Sequence, residues 1–152
     1  MQCCVVEFGR NVLKLKGAHS SEMDPKTKHP VIDIMEDQKE ISEMGGTMRL
    51  GAYDCRLYKK TKAYDAYRST NISERHRHRY EFNNTYLKDF EANGMMAVGV
   101  NPQQNLVEIV ELKNHPWFVG VQFHPELKSK VEKPHPLFIG FIKAAMDRKE
   151  KK

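Results

Sequence analysis

The chain has 152 residues, with 25 lysines and arginines against 20 aspartates and glutamates, a formal charge of +5. Mean hydropathy is -0.68, and no apolar run approaches the roughly 18–20 residues of a spanning helix, which argues against a membrane protein. Met1 to Glu7 carries no positive leader and no small-residue cleavage site, and the three cysteines have neither disulfide nor zinc spacing, so a reducing, cytoplasmic setting is expected.

Apolar residues at Val5, Val6, Phe8, Val12, Leu13 and Leu15 predict a helix over Cys3 to Leu15, with Gly17 as its stop. Asp24-Pro25 marks a loop, and Val31 to Met35 reads as a short buried strand. Gly45-Gly46 signals a turn before a strand over Met48 to Leu57. Thr61 to Tyr67 predicts a short helix or turn, and Tyr86 to Ala92 a helix stopped by Asn93-Gly94. Strands are expected at Met95 to Val100, Leu106 to Leu112 and Trp117 to Phe123, with Asn114-His115-Pro116 as the turn between the last two. A closing helix over Leu137 to Met146 places Leu137, Phe138, Phe141, Ile142 and Ala145 on an apolar face. Short strands with flanking helices indicate an α/β layer architecture.

The best chemical constellation is Phe123-His124-Pro125-Glu126 at a strand end, where ligands collect in open α/β sheets. His124 suits a general base, and Glu126 is placed to orient its ring. Pro125 biases His124 toward extended backbone. The pair lacks a nucleophile: Cys3 and Cys4 fall at the start of a helix with no preceding strand to form an exposed elbow. Arg75-His76-Arg77-His78-Arg79 reads as a strand with the arginines on one side and His76 and His78 on the other. An arginine from this run can grip a carboxylate through paired hydrogen bonds. No histidine spacing indicates a metal site, and the basic run lacks the aromatic interleaving of a nucleic-acid platform.

Several segments together carry a resemblance: Ala18-His19-Ser20-Ser21-Glu22, Gly45-Gly46-Thr47-Met48-Arg49-Leu50-Gly51, Glu74 to Asn83, His115 to Glu126 and His135-Pro136-Leu137-Phe138. The chain resembles the glutamine amidotransferase domain of the CTP synthase family over essentially its whole length. Phe-His-Pro-Glu alone is shared across the wider class I amidotransferases, whereas the Gly-Gly-Thr-Met-Arg-Leu-Gly and Arg-His-Arg-His-Arg-Tyr runs are more selective. The resemblance implies an incomplete class I glutamine amidotransferase (flavodoxin-like) three-layer domain, a mixed sheet flanked by helices. Residues 1–152 would be the C-terminal portion of that domain.

It further implies His124 and Glu126 as members of a Cys-His-Glu triad. Arg79 would hold the substrate α-carboxylate, Glu22 would lie near its amino group, and Gln2 would follow the nucleophile elbow. Thr47 and Arg49 match a GTP-effector region. Met1-Gln2 match the end of the family's Gly-x-Cys-Leu-Gly-Met-Gln segment, so the nucleophile is expected upstream of Met1 and the chain alone is expected to be inactive. The family's full-length ligase makes CTP, ADP, phosphate and glutamate from UTP, ATP and glutamine, in pyrimidine biosynthesis. Ammonia passes through a tunnel to a separate synthetase domain. The expected partners are glutamine, the N-terminal half of the amidotransferase domain and the synthetase domain, in a homotetramer, with neither nucleic acid nor membrane. No cofactor or metal is expected within these residues; ATP, magnesium and the activator GTP belong to the larger protein. A non-catalytic regulatory fragment and a different class I amidotransferase are the alternatives.

Overall fold

The computed structural model describes residues 1–34 and 48–150. It opens with α1 (Gln2–Asn11), whose Val5, Phe8 and Gly9 face inward. This helix is shorter than its apolar periodicity suggests. The Val12 and Leu13 amides both return to the Phe8 carbonyl, and Lys14 adopts a left-handed φ of 58°, so the chain turns away before Leu15. Next come β1 (His19–Ser20) and β2 (Pro30–Ile34), then β3 (Arg49–Leu57) and α2 (Lys62–Tyr67). Thr61 caps α2 by accepting from the Tyr64 amide.

β4 (Asn71–His78) and β5 (Tyr80–Phe82) are separated by Arg79 alone. A 3₁₀ turn over Asn84–Tyr86 leads into α3 (Leu87–Ala92). β6 (Met95–Val100) and β7 (Val107–Leu112) follow as their sequences predict. β8 (Val119–Val121) is shorter than the apolar run from Trp117 to Phe123. The Trp117 amide is held in the turn by His115 Nδ1 at 3.2 Å. At the other end the His124 amide leaves β7 to reach the Arg75 carbonyl on β4, 2.9 Å away. The last helix, α4 (Pro136–Glu150), begins one residue before the expected position, on a proline whose missing N–H costs nothing there.

The strands form two sheets. One is mixed, in the order β1-β2-β5, with β1 parallel and β5 antiparallel to β2. The other is antiparallel, in the order β4-β3-β6-β7-β8. The chain crosses from the second sheet to the first between β4 and β5, which puts Arg79 at their junction. α1 and α3 cover the mixed sheet through Phe8, Phe82 and Phe90, with ring centroids 5.4 Å apart for Phe8–Phe90 and 5.2 Å for Phe82–Phe90. A second cluster joins Cys55, Val98, Ile109, Phe123 and Leu137 under α2 and the start of α4.

β7 is covered on both sides, and Glu108 and Glu111 are buried within it. Glu111 resolves this by accepting from the Lys62 and Ala63 amides at 3.1 and 2.6 Å, at the start of α2. One expectation about a face, that of α4, is corrected. Leu137 alone of the five face residues is buried. Phe138, Phe141 and Ile142 are 42%, 54% and 55% exposed, because only the first turn reaches the second cluster. Among the described residues no helix is long and apolar enough to cross a membrane.

Candidate active site

Alternation along β4 places Glu74, His76 and His78 toward the interior and Arg75 and Arg77 toward solvent. Beside the junction at Arg79 lies the end of β8, carrying Gln122, Phe123 and His124. Two backbone bonds fix this segment: the Gln122 amide donates to the Glu108 carbonyl, and the His124 amide to that of Arg75, both at 2.9 Å. Pro125 then starts a 3₁₀ turn, and His124 sits at φ -112°, ψ 89°, the extended geometry a following proline favours.

His124 Nδ1 lies 2.7 Å from Glu126 Oε1. The Glu126 carboxyl is held below the usual carboxylate range, first by its own backbone N–H and then by the His124 ring. It therefore stays ionised at neutral pH, and Nδ1–H donates to it. That assigns the other nitrogen, Nε2, to whatever His124 acts on.

A pocket of about 520 Å³ opens beside this pair. Gln2, Glu22, Arg79 and His124 all line it, so four sequence-predicted residues from α1, the β1 loop, the sheet junction and the end of β8 meet in one hollow. Glu126 lies outside the lining, behind His124. The Gln2 side chain is also anchored locally, its amide donating to the Tyr80 carbonyl at 3.1 Å. Cys3 is exposed and borders the same pocket. Cys4 donates its thiol to the Met1 carbonyl at 2.8 Å, and burial pushes its thiol pKa up. Burial does the same to Cys55, reinforced by Glu108 and Glu74.

Of the two residues matched to an effector region, Thr47 lies outside the described residues. Arg49 is 3% exposed and turned into the core. Its guanidinium lies 3.2 Å from Glu81 and 2.7 Å from Glu108, and 4.4 Å from the centre of the Tyr53 ring. Burial alone weakens its charge; the two carboxylates, Glu108 foremost, more than restore it. Arg49 is thus a charge buried in the core and paired there.

Three buried features went unrecognised in the sequence. The first continues from Arg49. Glu108 faces His76 Nδ1 at 3.6 Å, and His76 Nδ1 lies 2.7 Å from His78 Nε2. Burial, followed by the charges of Arg49, His78 and His124, pulls the His76 pKa down to about 3, so this ring is neutral. Burial pushes the Glu108 pKa up against the pull of Arg49. The second is Glu74, 3.2 Å from His135 Nε2 and 3.0 Å from the Tyr67 hydroxyl. Burial alone raises the Glu74 pKa, but these bonds and nearby Lys128 outweigh it and hold the carboxyl down. The third is Gln122, 7% exposed. Period-two alternation in β4 was the available signal for the first two; nothing in the sequence paired them with Arg49 or His135.

The chain matches the family model described as glutamine amidotransferase class-I over residues 1–144. It is 62% identical over 151 residues to a CTP synthase of Clostridium acetobutylicum, covering 99% of this chain and 28% of that protein. A CTP synthase of Bacteroides fragilis is 62% identical over 148 residues, covering 97% and 28%. Among solved structures, the Trypanosoma brucei CTPS glutaminase domain with bound acivicin superposes with a TM-score of 0.89 at 35% identity, covering 97% of this chain and 57% of that one. The chain therefore spans about 28% of the length of the curated relatives it matches.

Proposed function

Because the chain belongs to the class-I glutamine amidotransferase family, we propose that it supplies the substrate-binding wall and the proton-transfer pair of a glutaminase site serving CTP synthesis. The observation that carries this reading is the meeting of Gln2, Glu22, Arg79 and His124 around one pocket of about 520 Å³. Arg79 pairs with the α-carboxylate of glutamine, a contact suited to the fork of a guanidinium. Glu22 faces the α-ammonium group. These two contacts direct the side-chain amide toward His124 Nε2.

We assign the attacking thiolate to a residue outside these 152: burial pushes the Cys4 and Cys55 thiols up, and Cys3, in the first turn of α1, follows Gln2, which matches the residue after the family's nucleophile elbow. The thiolate adds to the amide carbon, and the carbonyl oxygen takes the negative charge. His124, protonated on both nitrogens and steadied by Glu126, gives its Nε2 proton to the departing nitrogen as the C–N bond breaks. Ammonia leaves and a thioester remains. His124, now neutral, takes a proton from water as that water attacks the thioester, and glutamate and the thiol are released. In the longer protein the ammonia would aminate a phosphorylated UTP at a separate site that uses ATP and magnesium, in a cytoplasmic homotetramer activated by GTP.

The test uses isotope-labelled chain and L-glutamine. Glutamine should shift the Arg79 guanidinium and His124 imidazole resonances, and Arg79→Lys should weaken binding about tenfold through loss of a bidentate charged contact. The 152-residue chain should release no ammonia. Glutamine turnover by the pure chain that vanishes in His124→Ala would overturn the assignment of the thiol.

A further inference from the structure

His78 occupies the boundary between the buried charges and the pocket, with a side chain 9% exposed on the pocket wall. Both of its nitrogens are engaged. Nε2 faces His76 Nδ1 at 2.7 Å. Nδ1 faces two groups at once: the Gln122 side-chain nitrogen at 3.1 Å and Glu81 Oε1 at 3.2 Å. One of these can only donate and the other can only accept. The Gln122 assignment follows from its second contact, 2.7 Å to the Tyr80 carbonyl, which accepts and cannot donate. Its amide therefore supplies both hydrogens, one to Tyr80 and one toward His78 Nδ1.

Gln122 precedes Phe123-His124, and Tyr80 follows Arg79. The Gln122 amide thus joins the segment that presents the proton-transfer histidine to the junction that presents the arginine. Gln2 donates to the same Tyr80 carbonyl at 3.1 Å, so three walls of the pocket are tied at one oxygen. The bond to His78 is the second restraint on the Gln122 amide, beside the one to Tyr80.

A metal ion is the competing use of this cluster, because ligand atoms of His76, His78 and Glu108 lie within 4.8 Å of one another. The geometry disfavours it. Zinc–nitrogen bonds of about 2.0–2.1 Å in a tetrahedral site hold two ring nitrogens about 3.4 Å apart, whereas these lie at 2.7 Å, the spacing of a shared proton. The Arg49 guanidinium, 2.7 Å from Glu108, already supplies the cation.

We propose that His78 is a positioning residue for the glutamine site: with Nδ1 unprotonated, it holds the Gln122 amide and so fixes the His124 segment against the Arg79 junction. A proton on Nδ1 turns that nitrogen from Gln122 to Glu81 and releases the clamp. The charged and titratable groups around the ring are Glu81 from β5 and His76 from its own strand, both in contact with it, Glu108 from β7, Arg49, its register partner on β3, and Glu22, Arg77, Arg79 and His124, which line the same pocket. The inference rests on the proposed function only in taking the pocket as the glutamine site.

The experiment is imidazole and side-chain amide nitrogen NMR on the labelled chain, followed by glutamine binding to His78→Asn and His78→Leu. At neutral pH, Nδ1 of His78 should be bare and Nε2 protonated. On acidification the Gln122 side-chain amide should move with the same midpoint as the His78 ring. His78→Leu should weaken glutamine binding roughly five- to tenfold, the loss of about one net hydrogen bond. His78→Asn, whose amide oxygen can take the place of Nδ1 but does not titrate, should restore it and flatten its dependence on pH.

A protonated Nδ1 in the neutral-pH wild type, or a Gln122 amide indifferent to the His78 titration, overturns the proposal, and neither requires a variant to fold. Equal glutamine affinity in folded His78→Leu overturns it as well, as does zinc uptake that shifts both histidine rings. If glutamine fails to shift Arg79 and His124 in the wild type, the pocket assignment fails while the His78–Gln122 spectrum still reports on the clamp.

Discussion

Arg49→Met removes a guanidinium and keeps the volume of its stem. It leaves Glu108 and Glu81, which are 0% and 2% exposed, without their shared cation. Breaking a buried ion pair by deleting one partner costs about 3–5 kcal/mol, and the lost contact with the Tyr53 ring adds about 0.5–1 kcal/mol. A loss of about 4 kcal/mol in a domain of this size lowers Tm by roughly 8–16 °C. Urea and thermal unfolding measured across pH supply the test. Without Arg49, burial raises the Glu108 carboxyl further. A carboxyl raised in the folded state favours folding when protonated, so the gap between variant and wild type should narrow as pH falls and widen toward neutrality. Glu108→Gln in the Arg49→Met background should recover part of the loss at neutral pH. A loss under about 1 kcal/mol at neutral pH, or a gap that does not change with pH, would refute the placement of Arg49 as the counter-charge of the core.

Two further outcomes are expected. His76, whose pKa falls to about 3 on folding, gives stability that is present above its unfolded value and lost as pH drops below about 6.5, at about 1.4 kcal/mol per pH unit; Glu74, also lowered, adds a loss only below its unfolded value. His76→Phe should remove the first phase of acid destabilisation and leave the second, and a wild-type stability that is flat from neutrality to the carboxylate range would contradict this. Gly99→Ala places a methyl group 2.7 Å from Ile109 Cγ1 and 2.9 Å from Cys55 Sγ, inside the sheet between buried neighbours, and should cost about 1–3 kcal/mol of overpacking by urea unfolding.

Elements were legible where a local rule and the tertiary environment agree. β6 and β7 match their apolar runs because both are covered, and α2 begins where Thr61 can cap it. The errors arise where a distant partner decides. The apolar run at Trp117 to Phe123 carries no sign that His124 will leave β7 for the Arg75 carbonyl. The stripe on α4 reads as a core face, yet only Leu137 meets the second cluster. Alternation placed Glu74, His76 and His78 on one side of β4, but periodicity reports a face and not what lies against it. Nothing local in Leu106 to Leu112 shows that Glu108 and Glu111 are buried. The residues of the candidate site came from a family pattern, and periodicity alone would not have joined Gln2, Glu22, Arg79 and His124.

The two kinds of charge around the pocket follow from one requirement. A group that exchanges protons with a substrate must change charge at little cost, and the His124 side chain, 40% exposed, keeps enough water for that. Orientation then cannot come from dry packing around the pair. It comes from backbone bonds on either side of Phe123, from the Pro125 restriction, and from the Nδ1 contact with Glu126. Behind the same strand end, Arg49, Glu81 and Glu108 are dry and close; changing the charge of any one of them is costly, which makes their positions rigid. His78 and Gln122 stand between the two sets. Through them the geometry of the fixed charges is passed to the histidine that gives up and takes back a proton.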